Sequence, residues 1–174
     1  EKTPTVEEPN AMTLSTVDTQ GVPKARVVLL KEFTQEGFVF YTNYTSGKGQ
    51  AIAQNNKVCI SFFWPSLERQ IIITGIAVKI SEEKSIAYFN KRPRESQLGA
   101  LVSDQSTSIV SREALEEKLL DLEKQYQTKP IVKPAHWGGY LIQPTSYEFW
   151  QGRSSRLHDR IKYTKINNSW NIGR

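Results

Sequence analysis

Cysteine is almost absent. Cys59 stands alone in 174 residues, which excludes an intramolecular disulfide and any metal site built on thiolates. It lies in the apolar run KVCISFFW and reads as a small buried hydrophobe. Histidine is nearly as scarce, and His136 and His158 are too far apart in sequence to propose a zinc site. No apolar run approaches the ~20 residues of a membrane span. The opening EKTPTVEEPN is polar and proline-bearing, unlike a signal or transit peptide. The default expectation is a soluble, intracellular, cytoplasmic protein, and the missing initiator Met reads as a trimmed fragment. There is no G-x-G-x-x-G and no P-loop, so a bound phosphate must be held by side chains and loop amides. There is no serine elbow, and His136 sits in a proline-bordered loop, so a nucleophile–base triad is not indicated. No basic tract, internal repeat or low-complexity segment occurs.

What is present is ordinary for a globular chain: 38% apolar and 24% charged residues. The length suits one domain over 1–174 with a sizeable core, preceded by a flexible lead-in at 1–10. Twenty-three Lys and Arg against 18 Asp and Glu give a net charge of +5. That balance favours anionic partners and does not choose between phosphates and nucleic acid.

Residues 11–17 alternate apolar and small polar side chains and predict a first strand. A turn at 18–21 leads to a second strand over 25–33. There Val27, Val28, Leu29 and Leu30 are continuous, so both faces are expected to be buried. A turn at 35–37 and a third strand, GFVFYTN, complete an antiparallel meander. Residues 46–55 form a short helix weakened by Gly47 and Gly49. Strands at 57–64 and 69–80 follow. Ser81 then caps a helix carrying Glu82 and Glu83 in its first turn, ended by Pro93. A second short helix at 95–102 precedes a polar loop, Asp104–Ser108. The clearest helix is 111–127, with Leu115, Leu119, Leu122 and Tyr126 in one stripe. Strands at 139–150 and 159–166 finish the chain. The class is α+β, with an antiparallel barrel or sheet.

Three groups of residues carry chemistry. Tyr88 and Arg92 lie four apart on one helix face, Ser96 follows the Pro93 break, and Lys31 ends a strand. Together they suit a phosphate, with charge, a fork and hydroxyl donors; alternatively Arg92 complements a helix C-terminus and Lys31 is solvated. Arg26, Tyr41, Thr42, Lys48, Gln70, Gln105 and Ser106 fall on strand ends, a glycine-rich helix start and a polar loop. Lys48, between Gly47 and Gly49, offers charge and amides to an anion, or is an ordinary exposed lysine. The third group lies in 148–160, EFWQGRSSRLHDR. Phe149 and Trp150 close a strand, Gly152 and two serines make a turn, and Arg156, His158 and Arg160 recur at spacing two. On a strand those three point to one face, with Leu157 and Asp159 opposite. Beside an indole they fit a planar, phosphorylated ligand, or else they are a solvated basic edge strand.

The run FWQGRSSRLHDR closely resembles the C-terminal signature of the pyridoxine (pyridoxamine) 5′-phosphate oxidases. The resemblance extends, in order, to RVVLLK at 26–31, FYTN at 40–43, ERQ at 68–70, YFNKRPRESQLGA at 88–100, SDQS at 103–106 and WGGY at 137–140. It implies an antiparallel split β-barrel with peripheral helices, forming a homodimer with flavin mononucleotide (FMN) at the interface. By resemblance, Lys31, Tyr88, Arg92 and Ser96 bind the substrate phosphate. FMN is held by Arg26, Tyr41, Thr42, Lys48, Gln70, Gln105 and Ser106. Main-chain contacts come from Arg26, Val27, Val28, Leu29, Leu30 and Lys31, and Trp150 and Arg160 flank the flavin. Arg156, Leu157 and His158 face the substrate, with Arg156 and His158 orienting it and stabilising charge. The implied reaction moves a hydride from substrate C4′ to flavin N5, gives pyridoxal 5′-phosphate, and returns electrons to oxygen as hydrogen peroxide. One departure stands out. The family carries Arg-Lys after the serine where this chain has Ser46-Gly47-Lys48, so one cationic contact to the FMN phosphate is missing.

Other readings are a split-barrel flavoprotein with another substrate, a non-catalytic carrier of FMN or pyridoxal phosphate, and a nucleic-acid binder. The phosphate group with Arg156-Leu157-His158 argues against the first. The last rests on net charge alone.

Overall fold

Asp18 sets the first hairpin. Its Oδ1 accepts from the backbone N–H of Gln20 at 3.0 Å and of Val22 at 2.9 Å, and Gly21 takes φ +79, as a tight turn requires. The turn joins β1 (Ala11–Val17) to β2 (Pro23–Leu29) in antiparallel register, with Leu14 opposite Arg26. The structure is a computed structural model, and it describes residues 6–103, 105–107, 109, 111–167 and 169–174. Residues 1–5 of the expected lead-in, and Asp104 and Ser108 of the polar loop, lie outside the described residues. Pro9 and Asn10 are tied down: Trp64 Nε1 donates to the Pro9 carbonyl, and Asn10 exchanges bonds with Leu30.

The remaining elements are β3 (Glu32–Thr34), β4 (Gly37–Asn43), α1 (Gly47–Gln54), β5 (Lys57–Trp64), β6 (Arg69–Lys79), α2 (Glu82–Lys91), α3 (Arg94–Val102), α4 (Arg112–Tyr126), β7 (Trp137–Gln151), β8 (Asp159–Ile166) and β9 (Ser169–Gly173). The nine strands form one sheet in the order β2-β1-β5-β6-β7-β4-β3, with β8 on β7 and β9 on β8. The pairings β1–β2, β1–β5, β3–β4, β5–β6, β7–β8 and β8–β9 are antiparallel. With the helices this is the expected α+β split-barrel class. No helix among the described residues is long and apolar enough to cross a membrane.

The single strand expected over 25–33 is two. Leu30 bonds to Asn10, but Lys31 N–H donates to the Val39 carbonyl, so the run changes partner after Leu29 and continues as β3 against β4. Its faces are not both buried either: Val27 is 68% exposed and Phe33 72%. β2 and β3 stand at the two ends of the sheet order, and among the described residues these two side chains are left largely open. A ninth strand, β9, was not expected. Asn167 reaches φ 49 in the turn before it.

The chain has two compact units. One comprises Glu1–Phe40, Ala51–Val78 and Leu141–Arg174; its core is the inward row of β1, β5 and β6, with Met12, Leu14, Ile60 and Ile73 at most 1% exposed. The other comprises Tyr41–Gln50 and Lys79–Tyr140. Phe89, Leu98, Ile131 and Trp137 form its core, and the α4 stripe supplies Leu119, Leu122 and Tyr126. The Ser81 cap is as expected, its Oγ accepting from Lys84 N–H at 3.2 Å; Ser111, expected inside the helix, caps α4 instead, its Oγ accepting from Ala114 N–H at 3.2 Å.

Candidate active site

In the unit Tyr41–Gln50 with Lys79–Tyr140, several hydrogen-bond donors gather at the start of α1. Ser46 is fully buried; its Oγ donates to the Asn43 carbonyl and accepts from Gly49 N–H. Gly49 is required, because a Cβ there would lie 2.2 Å from the Tyr44 carbonyl oxygen. Gly47 is different: a Cβ would meet only the Ser106 side chain at 3.6 Å, ordinary contact. Gly47 N–H donates to Ser106 Oγ at 3.1 Å, and Ser106 itself is at φ 69. Lys48 Nζ reaches Thr42 Oγ1 at 3.2 Å and Gln105 Oε1 at 3.1 Å. Thr42, Lys48, Gln105 and Ser106, scattered in sequence, are thus brought together around a helix N-terminus whose dipole favours negative charge.

The same unit holds Tyr88, Arg92 and Ser96. Arg92 is the residue following α2, and Ser96 lies in the first turn of α3. The α2 C-terminal carbonyls do not need the Arg92 side chain, because Gln97 Nε2 donates to those of Phe89, Asn90 and Arg92. The guanidinium lies instead over the Trp137 ring, 4.7 Å from its centroid. Its Nη1 is buried with no hydrogen-bond partner among the described residues. Burial lowers the Arg92 pKa and raises that of Tyr88, the neighbouring charge opposing both shifts. A buried donor left open costs about 1–3 kcal/mol, so an arriving anion that accepts from it recovers that cost. Tyr41 stacks on Tyr88 at 3.9 Å and on Trp137 at 5.2 Å.

In the other unit, the end of β7 is pinned to the ERQ segment. Gly152 N–H donates to the Glu68 carbonyl at 2.7 Å, Gln151 Nε2 to the Leu67 carbonyl, and Arg69 Nε to Gln151 Oε1. Gln70 and Trp150 then share a cavity of about 320 Å³ with Trp64, Ile71 and Asp159. The Arg26 guanidinium crosses to β1, donating to Thr16 Oγ1 at 2.7 Å and to the Leu14 carbonyl at 3.2 Å. Lys31 lies between β2 and β3 with its side chain exposed, not at the end of a buried strand.

The spacing-two reading of Arg156, His158 and Arg160 is corrected. Residues Ser154–Arg156 form a 3-10 turn in which Ser155 and Arg156 take φ 59 and 60; only Arg160 lies on β8. Left-handed backbone at two successive non-glycine residues costs of order 1–3 kcal/mol each, and it interrupts the alternation that one strand face requires. Two of the arginines in this stretch have carboxylate partners. Arg153 pairs with Asp159 at 2.8 Å, and Arg160 with Glu148 at 3.1 Å; the Arg153 hydrogen bond holds Asp159 below the ordinary carboxylate pKa. His158 Nδ1 accepts from Arg153 N–H at 3.0 Å, and its ring tilts on Trp150 with centroids 4.9 Å apart. Arg156 and Leu157 are exposed, Leu157 at 79%.

Two residues of the unit that holds Arg92 carried no assignment in the sequence. Trp137 opens the WGGY run, where an aromatic before a glycine pair was the available signal. Lys133, set between Val132 and Pro134, has a side chain only 2% exposed; its Nζ donates to the Trp137 and Pro134 carbonyls and pairs with Glu82 at 3.0 Å.

Residues 2–126 match the family described as pyridoxamine 5′-phosphate oxidase, and residues 137–174 match the pyridoxine 5′-phosphate oxidase C-terminal dimerisation region. A pyridoxine/pyridoxamine 5′-phosphate oxidase of Christiangramia forsetii is 59% identical over 97% of this chain and 79% of its own length. The structure of PhzG from Burkholderia lata 383, in complex with tetrahydrophenazine-1-carboxylic acid, is 29% identical at TM-score 0.92, covering 97% of this chain and 82% of its own. A pyridoxamine 5′-phosphate oxidase-related, FMN-binding protein of Nostoc punctiforme shares the fold at TM-score 0.75 and 18% identity, over 95% of this chain and 86% of its own. The chain is an oxidoreductase of the pyridoxamine 5′-phosphate oxidase family.

Proposed function

We propose that the protein oxidises pyridoxine 5′-phosphate and pyridoxamine 5′-phosphate to pyridoxal 5′-phosphate, with FMN as cofactor and oxygen as electron acceptor, water hydrolysing the oxidised amine and releasing ammonia. The observation that carries the substrate class is Arg92, half-buried with an unsatisfied Nη1, beside Tyr88 and near the start of α3. A phosphoryl group supplies the acceptors that this fork lacks. The likeness to named oxidases at 59% identity supports the same reading.

The donor set at α1 fits the FMN phosphate: one ammonium, hydroxyls and helix N–H groups face the same place. Lys48, Thr42, Gln105 and Ser106 would hold that phosphate. Arg26, Tyr41, Gln70, Trp150 and Arg160, with the main chain of 26–31, would hold the rest of the cofactor. When bound, FMN supplies a two-electron acceptor that oxygen restores, with hydrogen peroxide as the second product. The protein's own residues do the positioning. Lys31, Tyr88, Arg92 and Ser96 clamp the substrate phosphate, fixing the pyridine ring by its far end. Arg156, Leu157 and His158 face the ring; Arg156 stabilises charge and His158, held at Nδ1 by Arg153 N–H, presents Nε2. The working form is a homodimer with FMN at the interface, so the two residue sets need not come from one copy. This agrees with the match of residues 137–174 to a dimerisation region.

The test is aerobic turnover of the FMN-loaded protein. Pyridoxal 5′-phosphate and hydrogen peroxide form in equal amounts, and Arg92→Ala raises the KM by at least about tenfold, as loss of a charge-assisted bond predicts. Dephosphorylated pyridoxamine turning over equally well would contradict the phosphate assignment.

A further inference from the structure

Arg92 has an unusual anchorage for a half-buried arginine. It makes no ion pair among the described residues, and its Nη1 has no hydrogen-bond partner among them. What it does have is two ring faces: Trp137 at 4.7 Å and Phe89 at 5.7 Å from the guanidinium carbon. Those rings meet edge to face, at 68° with centroids 5.2 Å apart, so they form a corner rather than a single wall. The corner is rigid. Phe89 is fully buried and Trp137 is 5% exposed, and buried Lys133 fixes the Trp137 carbonyl while pairing with Glu82 at the start of α2. The helix that carries Arg92 and the strand end that carries Trp137 are therefore joined at both ends of α2.

We infer that Trp137 is the positioning residue of the phosphate clamp: its indole face orients the Arg92 guanidinium so that the unsatisfied Nη1 edge is presented to the substrate phosphoryl group. The reasoning is general. A flat cation over an indole is attracted to the ring and keeps its N–H groups in the plane, free to bond at the edge. Bonding Arg92 to a carboxylate instead would consume the donors that the phosphate needs. The inference rests on the proposed substrate, and Trp137 acts in it through Arg92.

The test compares Trp137→Leu with Trp137→Phe at saturating FMN. Leucine removes the π face, and the KM for pyridoxamine 5′-phosphate rises about tenfold, the effect falling on KM rather than on kcat. Phenylalanine keeps a ring face and recovers most of the loss. Because Trp137 lies in the core, a second measurement uses the intact FMN-loaded protein carrying fluorotryptophan. The fluorine resonance that disappears in Trp137→Phe shifts as inorganic phosphate is added, and does not shift in Arg92→Lys. If Arg92→Ala raises KM while both Trp137 variants leave it in place, or if the resonance ignores phosphate, the platform role is wrong and the substrate stands. If Arg92→Ala itself leaves KM unchanged, the phosphate reading fails and this inference with it.

Discussion

By resemblance Gly47 departs from the family's pattern, and its surroundings make that departure testable. A Cβ at that position meets only the Ser106 side chain at ordinary contact distance, so the backbone tolerates a larger residue. Gly47→Arg is expected to tighten FMN by about tenfold, the value of one charge-assisted hydrogen bond at the low end. Fluorescence titration of apoprotein with FMN measures it. Lys48→Ala acts in the opposite direction. It removes the ammonium that bonds Thr42 and Gln105, and the same titration should show FMN weakened about tenfold or more. Arg156→Ala separates the two residue sets. It lies on an exposed turn away from α1 in sequence, so turnover should fall on the order of 100-fold, as when one transition-state donor is lost, while the flavin stays bound. Loss of flavin instead would show that the division of roles is wrong.

Elements whose pattern depends on their own neighbours in sequence were readable in advance. β1, the Ser81 cap and the α4 stripe came out as expected, because alternation, capping and helical periodicity are local. β2 and β3 did not, because a change of hydrogen-bond partner at Lys31 leaves no mark on an unbroken apolar run. The turn at Ser154–Arg156 defeated a spacing argument for a related reason: left-handed φ at Ser155 and Arg156 is not encoded by glycine there. The candidate phosphate residues were readable as residue types, whereas the platform beneath Arg92 was not, since Trp137 is 45 positions away and meets it only in the fold. One element also carries a pH prediction. Burial pushes the Tyr140 phenol, on β7, up to about 12. The unfolded chain sheds this proton near its ordinary value of about 10, so the tyrosine's contribution is whole below that pH. It is lost as pH rises toward 12. Urea midpoints at about pH 9 and about pH 11 should therefore fall further for the wild type than for Tyr140→Phe.

At the scale of the whole molecule, the exposure of Val27 and Phe33 points to a second copy. These side chains are 68% and 72% exposed in the single chain, and covering each is worth about 1.5–3 kcal/mol. The match of residues 137–174 to a dimerisation region agrees. Sedimentation should give a dimer, and Val27→Asp should shift it toward monomer and weaken FMN with it; an unchanged dimer would remove β2 from the interface. The central claim is that a phosphorylated pyridine substrate and FMN react on this protein. Its most direct test is to add pyridoxamine 5′-phosphate without oxygen to the FMN-loaded protein and follow the visible absorbance. The account predicts bleaching with formation of pyridoxal 5′-phosphate, and recovery of the yellow colour when oxygen is admitted. A flavin that binds and stays yellow would contradict it.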